Sequence, residues 1–288
     1  MENIKKYGPI WALTCLACAV ALLWYAVFAI SSRHGLELMV FDIGQGDAIF
    51  ITASNGNQVL VDGGPTDAVL GKLGGAMPFW DRSIDVVVLT HPHADHLAGL
   101  IAVLRRYDVG MVLESGADYS TPEYREWRAL LEQKRVPVIT AHSGQVLRLA
   151  PQTELDVLAP IKSFAGMSPK NVHDAMVVMR LVHASSSALL TGDAEKSLEY
   201  DLLFSGVPLA SDILKAGHHG SKTSTSEDFV RAVAPRYAVI SVGRKNRYGH
   251  PYQQTLDTLE KLHISVLRTD QDGDVRFVSE GAGLRPAP

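Results

Sequence analysis

The stretch HPHADH, residues 91–96, sets His91, His93, Asp95 and His96 within six positions, directly after the apolar run IDVVVL. On an extended segment, residues two apart face the same side, so the rings of His91 and His93 share a face. Imidazole nitrogen and carboxylate oxygen are ligands for Zn²⁺, Mn²⁺ or Fe²⁺. A lone histidine here would be read as a loop residue, but three with a carboxylate at a strand end point to a metal site. Further ligands must come from elsewhere in the chain. Asp193 follows the apolar run SALLTG, His218 follows DILKAG, and His173 stands in NVHDAMVVM just before another apolar run. Asp193 also has a plain structural reading, as the cap of the helix AEKSLEY, and His173 one as a loop histidine. His142, His183 and His263 are read as structural or solvated.

A second group of residues suits anions. Lys215 and Lys222 flank AGHHGS, and GRKNRYGHP carries Arg244, Lys245, Arg247 and His250. Ser221 and Thr223 add hydroxyl donors. Such a set fits a phosphate. The plain alternative is a solvated basic loop. A β-lactam or thioester carries a single nearby carboxylate or none and calls for fewer cations, so phosphodiester hydrolysis is the leading reading.

The elements that must position these residues follow from the hydrophobic pattern. LELMVFDIG, DAIFITAS and NQVLVDGG are short β-rich runs, and SIDVVVLT reads as a strand buried on both faces. ADHLAGLIAVLRRY has helical spacing with Asp95 at its start, and TPEYREWRALLEQKR is a helix opened by Pro122. VPVIT, QVLRLA and TELDVLAP return to strand. AMVVMRLVHAS and SALLTGD form a hairpin, and AEKSLEYDLLFSG is a helix ending at Gly206. SDILKAG and PRYAVISVG are strands around the helix STSEDFVRAVA, and PYQQTLDTLEKLH leads to the strands ISVLRT and DVRFVS. This order fits two sheets packed on one another and flanked by helices. With a net charge of −4, no global basic field marks a nucleic-acid binder. Cys15 and Cys18 are the only cysteines, both in the N-terminal apolar run, so the rest of the chain has neither disulfide nor cysteine metal site. That run carries no charge between Lys6 and Arg33. It exceeds the ~20 residues of a transmembrane helix, with a cleaved signal peptide as the alternative. Lys5 and Lys6 place the N-terminus in the cytoplasm and the rest outside, as a single-pass membrane protein. The expected organisation is residues 1–34 as cytoplasmic N-terminus and anchor, 35–280 as a hydrolase domain and 281–288 as a frayed tail.

The segments MVFDIGQGDAIFI, VLVDGG, VVVLTHPHADHLAGL, LLTGDAE, LKAGHHGSKTSTS, AVISVGRKNRYGHP and LRTDQDGDVRF resemble the metallo-β-lactamase superfamily. Within it, they are most similar to the C-terminal hydrolase domain of the ComEC family of DNA-uptake competence proteins. The resemblance covers roughly residues 36 to 279. It implies an α/β fold, the four-layer αββα sandwich, here with an N-terminal transmembrane helix before it. It implies two divalent metal ions, Zn or Mn: His91, His93 and His173 would hold the first, Asp95, His96 and His218 the second, and Asp193 would bridge them. Asp62, in VLVDGG, would stand behind the metal histidines and orient them, and His219 likewise lies outside the ligand set. Two such cations yield hydroxide near neutral pH. Asp95 and Asp193 would orient it, and His250 would protonate the leaving oxygen or bind the phosphate. Ser221, Lys222, Arg244, Lys245 and Arg247 would bind substrate. The expected function is a membrane-anchored phosphodiesterase or nuclease, acting on DNA or another phosphodiester, in DNA uptake or processing. Hydrolysis of small esters, thioesters or lactams, and a non-catalytic metal-containing binding subunit, are the alternatives. The competence proteins carry a many-helix channel that this sequence lacks, so a separate membrane channel subunit would be a partner. Oligomeric state is not legible in the sequence.

Overall fold

The structure is a computed structural model. It describes residues 2–31, 35–279 and 283–287 and, within the first helix, the side chains of residues 7 and 10–26. Helix α1 is Glu2–Ser31. Strands β1 (Leu36–Val40), β2 (Ile49–Thr52) and β3 (Gln58–Val61) precede α2 (Ala68–Ala76), β4 (Ser83–Leu89), α3 (Ala94–Arg106), β5 (Asp108–Glu114), α4 (Pro122–Lys134) and β6 (Val138–Thr140). The second half runs β7 (Val146–Ala150), β8 (Thr153–Ala159), β9 (Val178–His183), β10 (Ser186–Leu190), α5 (Lys196–Ser205), β11 (Ile213–Lys215), α6 (Glu227–Val233), β12 (Tyr237–Ile240), α7 (Gln253–Lys261), β13 (Ser265–Arg268), α8 (Thr269–Asp272), β14 (Val275–Ser279) and β15 (Arg285–Ala287).

One sheet has the order β15-β14-β1-β2-β3-β4-β5-β6 and the other β13-β12-β11-β10-β9-β8-β7. Val86 and Val88 of β4 meet Leu155, Met179, Leu190 and Val239 of the other sheet in a shared core. Ile84, Val87 and Leu89 of β4 pack outward in a cluster with Leu97, Leu100 and Leu104 of α3 and Trp127 of α4. The second sheet is covered in the same way by Leu198 and Leu202 of α5, Phe229 and Val233 of α6 and Leu259 of α7. The expected αββα layering is therefore present. The continuous apolar run of β4 is explained by burial on both faces.

Four parallel strands in each sheet, β3 to β6 and β10 to β13, point their carboxyl ends to one edge. In open α/β sheets ligands bind beyond those ends. Here Asp62 follows β3, Thr90 follows β4, Asp193 follows β10, His218 follows β11 and Ser241 follows β12.

Local chemistry explains several boundaries. Thr121 caps α4 by accepting from the Tyr124 amide at 3.3 Å. Gly206, with φ 77°, ends α5. Helix α3 docks onto the turn after β3 through Gly63 N–H to His96 O, at 2.8 Å, and Gly99 N–H to Gly64 O, at 2.9 Å. A Cβ at Gly99 would lie 1.8 Å from Gly63 O. Gly99→Ala is therefore expected to lower stability by about 1–3 kcal/mol, read as a fall in the urea midpoint.

Three expectations change. Among the described residues, no helix is long and apolar enough to cross a membrane, so the anchor expected over 1–34 is not borne out. That expectation counted the whole uncharged run, and both ends of the run lie outside the side chains the structure describes. Secondly, part of the segment expected to fray forms β15, which pairs antiparallel with β14; Glu280, Gly281, Ala282 and Pro288 fall outside the described residues. Thirdly, α2 has no counterpart in the sequence reading, because Gly71, Gly74 and Gly75 weaken its helical signal while Val69 and Leu73 bury it against the sheet.

Candidate metal centre

Asp62 is the organiser on one side of the site. It is fully buried, with φ 58°, a left-handed conformation costly for a non-glycine residue. Its Oδ1 accepts from Thr90 N–H at 2.8 Å and its Oδ2 from the Thr90 hydroxyl at 2.6 Å. His96 Nδ1 lies 2.7 Å from the same Oδ2, and His91 Nδ1 lies 3.1 Å from Thr90 Oγ1. Since the Thr90 proton goes to Asp62, His91 Nδ1–H donates to Thr90. Both imidazoles thus carry a proton on Nδ1, with Nε2 turned toward Asp193. Asp62 thus holds His96 directly and His91 through Thr90.

Asp193 sits between two groups of rings. Its Oδ1 is 3.4 Å from His96 Nε2 and 3.5 Å from His219 Nε2, while Oδ2 is 3.9 Å from His91 Nε2 and 3.7 Å from His218 Nε2. Asp193 does not cap a helix, since α5 begins after Glu195. His91, His93 and His173 present ligand atoms within 4.8 Å of one another, and so do Asp95, His96, Asp193 and His219. This second group differs from the expected set at one residue, holding His219 where His218 was expected. His219 Nε2 faces Asp95 Oδ2 at 3.5 Å, whereas His218 joins His173 and Glu195. Two adjacent left-handed residues, His218 at φ 48° and His219 at φ 54°, swing the two rings to different sides. His219 Nδ1 donates to Ser241 O at 2.9 Å, and its Nε2 faces Asp193 and Asp95, each at 3.5 Å.

Burial and charge set the protonation. Burial pushes His91 well down, aided by His96; His93 and His218 are lowered by burial as well. These rings are kept as neutral donors. For His96 and His219 burial acts downward too, but carboxylates outweigh it. Asp193 and Asp62 raise His96 well above its ordinary value, and Asp193 and Asp47 push His219 up to about 9. Burial would raise Asp193, yet His219 and His96 hold it well below the usual carboxylate range. Buried carboxylate charge here draws positive charge to itself. His96 Nε2, His219 Nε2, Asp193 Oδ1 and both nitrogens of His173 are buried without a hydrogen-bond partner. Buried polar atoms are normally satisfied. Orphaned imidazole nitrogens and a carboxylate oxygen converging on one space are a donor set that fits divalent cations.

The remaining expected residues scatter. His250 stands at the mouth, its ring 5.8 Å from His218 and 6.4 Å from His219, with Nδ1 unpartnered. Burial, then His219 and His218, push it down to about 4. Its ring lies between Tyr248, stacked at 5.7 Å, and Tyr252, at 5.5 Å. Arg247 lies 5.2 Å over Tyr248 and Lys222 lies 5.5 Å over Tyr252. Arg244 is exposed and donates to Asp270 O, and Lys245 is exposed in the same loop. Ser221 is buried, its hydroxyl engaged with Thr223 at 3.0 Å. Lys215 is no anion ligand. It is 1% exposed, with Nζ 2.8 Å from Asp47 Oδ2.

Sequence reasoning missed Thr90, Asp47, Glu195, Tyr248 and Tyr252. Asp47 and Glu195 both lie inside motif segments, GQGDA and TGDAE, whose other residues drew the attention. The loop bearing Asp47 is wedged against the site, since a Cβ at Gly46 would lie 2.1 Å from Asp95 O and Gly46 O accepts from Ser241 at 2.7 Å.

The model of the metallo-beta-lactamase superfamily matches residues 41–244. ComE operon protein 3 of Bacillus subtilis is 30% identical over 279 residues, spanning 91% of this chain and 35% of that protein. Competence protein ComA of Neisseria gonorrhoeae is 29% identical, spanning 96% and 36%, and Recombination protein 2 of Haemophilus influenzae 29%, spanning 96% and 33%. The chain thus spans about a third of the length of these curated relatives. The crystal structure of CmlA, a diiron beta-hydroxylase from Streptomyces venezuelae, aligns with a TM-score of 0.53 at 14% identity, over 84% of this chain and 54% of that one, and shares the fold. The resemblance to ComEC-type competence proteins read in the sequence is borne out by these relatives.

Proposed function

The chain belongs to the metallo-β-lactamase superfamily, and from that membership we propose that it is a two-metal phosphodiesterase acting on nucleic acid. His91, His93 and His173, with Asp193 Oδ2 and His218, would hold one divalent cation, Zn or Mn; Asp95, His96, His219 and Asp193 Oδ1 would hold the other. Such ions, when bound, supply a water nucleophile active near neutral pH and positive charge for the attacked phosphate. The chain's own residues do the positioning. Asp62 and Thr90 hold His96 and His91 in the tautomers that leave Nε2 free. Asp95 and Asp193 accept hydrogen bonds from the attacking water and aim it. His250, neutral because it is pushed down to about 4, offers an N–H to a phosphate or leaving oxygen rather than a full positive charge.

The observation that carries the reading is the rim. Three rings, Tyr248, His250 and Tyr252, run beside the metal cluster, with Arg247 and Lys222 over the outer two. Aromatic faces with flanking cations suit stacked bases and phosphates; a small lactam or thioester needs neither. Relatives named for competence and for recombination support nucleic acid as the phosphodiester.

The test is a substrate panel with the full chain loaded with Zn²⁺ or Mn²⁺: DNA, bis-p-nitrophenyl phosphate, a β-lactam and a thioester. Metal-dependent phosphodiester cleavage is expected. Tyr248→Ala is expected to slow DNA cleavage about tenfold, since stacking contributes ~1–3 kcal/mol per base. Turnover confined to the lactam or thioester would overturn the proposal.

A further inference from the structure

Three histidines of the centre have a carboxylate or a carbonyl behind their Nδ1, directly or through Thr90. His96 has Asp62, His91 has Asp62 through Thr90, and His219 has Ser241 O. On the opposite side, His173 and His218 lean together with ring centroids 4.9 Å apart. Both turn Nδ1 toward one carboxylate, that of Glu195. Its Oε2 lies 3.5 Å from His173 Nδ1 and its Oε1 lies 3.6 Å from His218 Nδ1. One oxygen thus faces each ring at ion-pair distance, and Thr223 Oγ1 also lies 3.5 Å from His218 Nδ1. The carboxylate is itself tethered: Thr223 Oγ1 donates to Oε1 at 2.9 Å and Asn171 Nδ2 to Oε2 at 3.3 Å. His218 Nε2 then points to Asp193 Oδ2 at 3.7 Å, away from Glu195.

We infer that Glu195 is a positioning residue that holds His173 and His218 together in the Nδ1–H tautomer, so that both Nε2 lone pairs face the metal centre. The inference rests on the two-metal reading. A metal-binding histidine commonly donates its other N–H to a carboxylate, which fixes ring and tautomer. Here one carboxylate does this for two rings, the counterpart of Asp62 across the site. The left-handed backbone at His218 makes the need concrete, because a strained residue persists only where its surroundings over-determine it. Asn171 and Thr223 extend the same framework to the backbone, since Asn171 Oδ1 accepts from His173 N–H at 3.2 Å.

The experiment measures metal binding by the full chain, by chelator competition and elemental analysis, for the unaltered protein and for Glu195→Gln. A Gln amide presents one acceptor oxygen where the carboxylate presents two, so it satisfies one imidazole and leaves the other free to rotate. One of the two metals is expected to bind about 10–100-fold more weakly, with the stoichiometry at saturation still two. The thermal midpoint of the metal-free protein should not move, which separates positioning from a general structural role. Asn171→Ala with Thr223→Val, which untethers the carboxylate but keeps its charge, is expected to weaken the same metal by a smaller factor. Glu195→Asp, too short to span both rings, should fall between Gln and the unaltered chain. Unchanged affinity in Glu195→Gln would overturn the inference while leaving the two-metal reading intact. A drop to one metal per chain would also overturn it, because Glu195 would then be a ligand. If the unaltered chain binds no divalent metal, the two-metal reading falls and this inference with it.

Discussion

Asp193→Ala is expected to abolish metal-dependent hydrolysis and to weaken binding at both metals by more than about 100-fold, beyond the ~10–100-fold that loss of an outer partner costs. Its two oxygens are shared between four imidazoles, Oδ1 with His96 and His219 and Oδ2 with His91 and His218. Among the described residues no other carboxylate lies within 4 Å of imidazoles from both groups, and Asp95 faces only the His219 side. Removal would also take away the charge that raises His96 and His219, so the variant should fold while losing its metals together. Elemental analysis after dialysis against a weak chelator checks this. Retention of one metal per chain would show that the two groups bind independently and that Asp193 does not bridge them.

Asp47→Ala carries the largest expected effect on stability. Lys215 is buried at the end of β11, and its ammonium has the Asp47 carboxylate 2.8 Å away and the carbonyl of Ala216 at 3.0 Å. Burial would raise Asp47, but Lys215 and His219 hold it below the usual carboxylate range, so the pair is charged. Removing one member leaves an uncompensated buried charge, which costs about 3–5 kcal/mol. For a chain of this size that lowers the thermal midpoint by on the order of 10 °C. Adding Lys215→Met should restore most of the loss, because the buried charge is then gone. A single variant as stable as the parent, or a double variant no better than the single, would show that the pair is hydrated and not part of the core. Asp47 Oδ1 also lies 3.5 Å from His219 Nδ1, so Asp47→Ala should slacken one metal ligand as well.

The largest gap between sequence and structure concerns residues that pattern alone cannot separate. His218 and His219 are neighbours of identical chemistry, and only their successive left-handed conformations send one ring toward Glu195 and the other toward Asp95. Lys215 reads as a surface cation beside a phosphate-like loop, yet it closes a parallel strand inside the molecule, where Asp47 neutralises it. Tyr248 and Tyr252 carried no motif signal of their own; their value comes from lying on either side of His250.

What the sequence determined by itself is local and periodic. The alternation and apolar runs fixed most strands and helices, and HPHADH at the end of a buried strand announced a candidate metal site, because ligand types and spacing within one segment are set by the chain's own geometry. Asp62 and Asp193 could be named from the motifs around them. The tertiary structure decided which distant carboxylate stands behind which imidazole, and which cations are free for substrate. Those pairings join residues as far apart as Asp47 and Lys215, brought together because two sheets stack with their parallel strands ending at one edge. Sequence spacing does not encode that juxtaposition; the burial of the shared core between the sheets does.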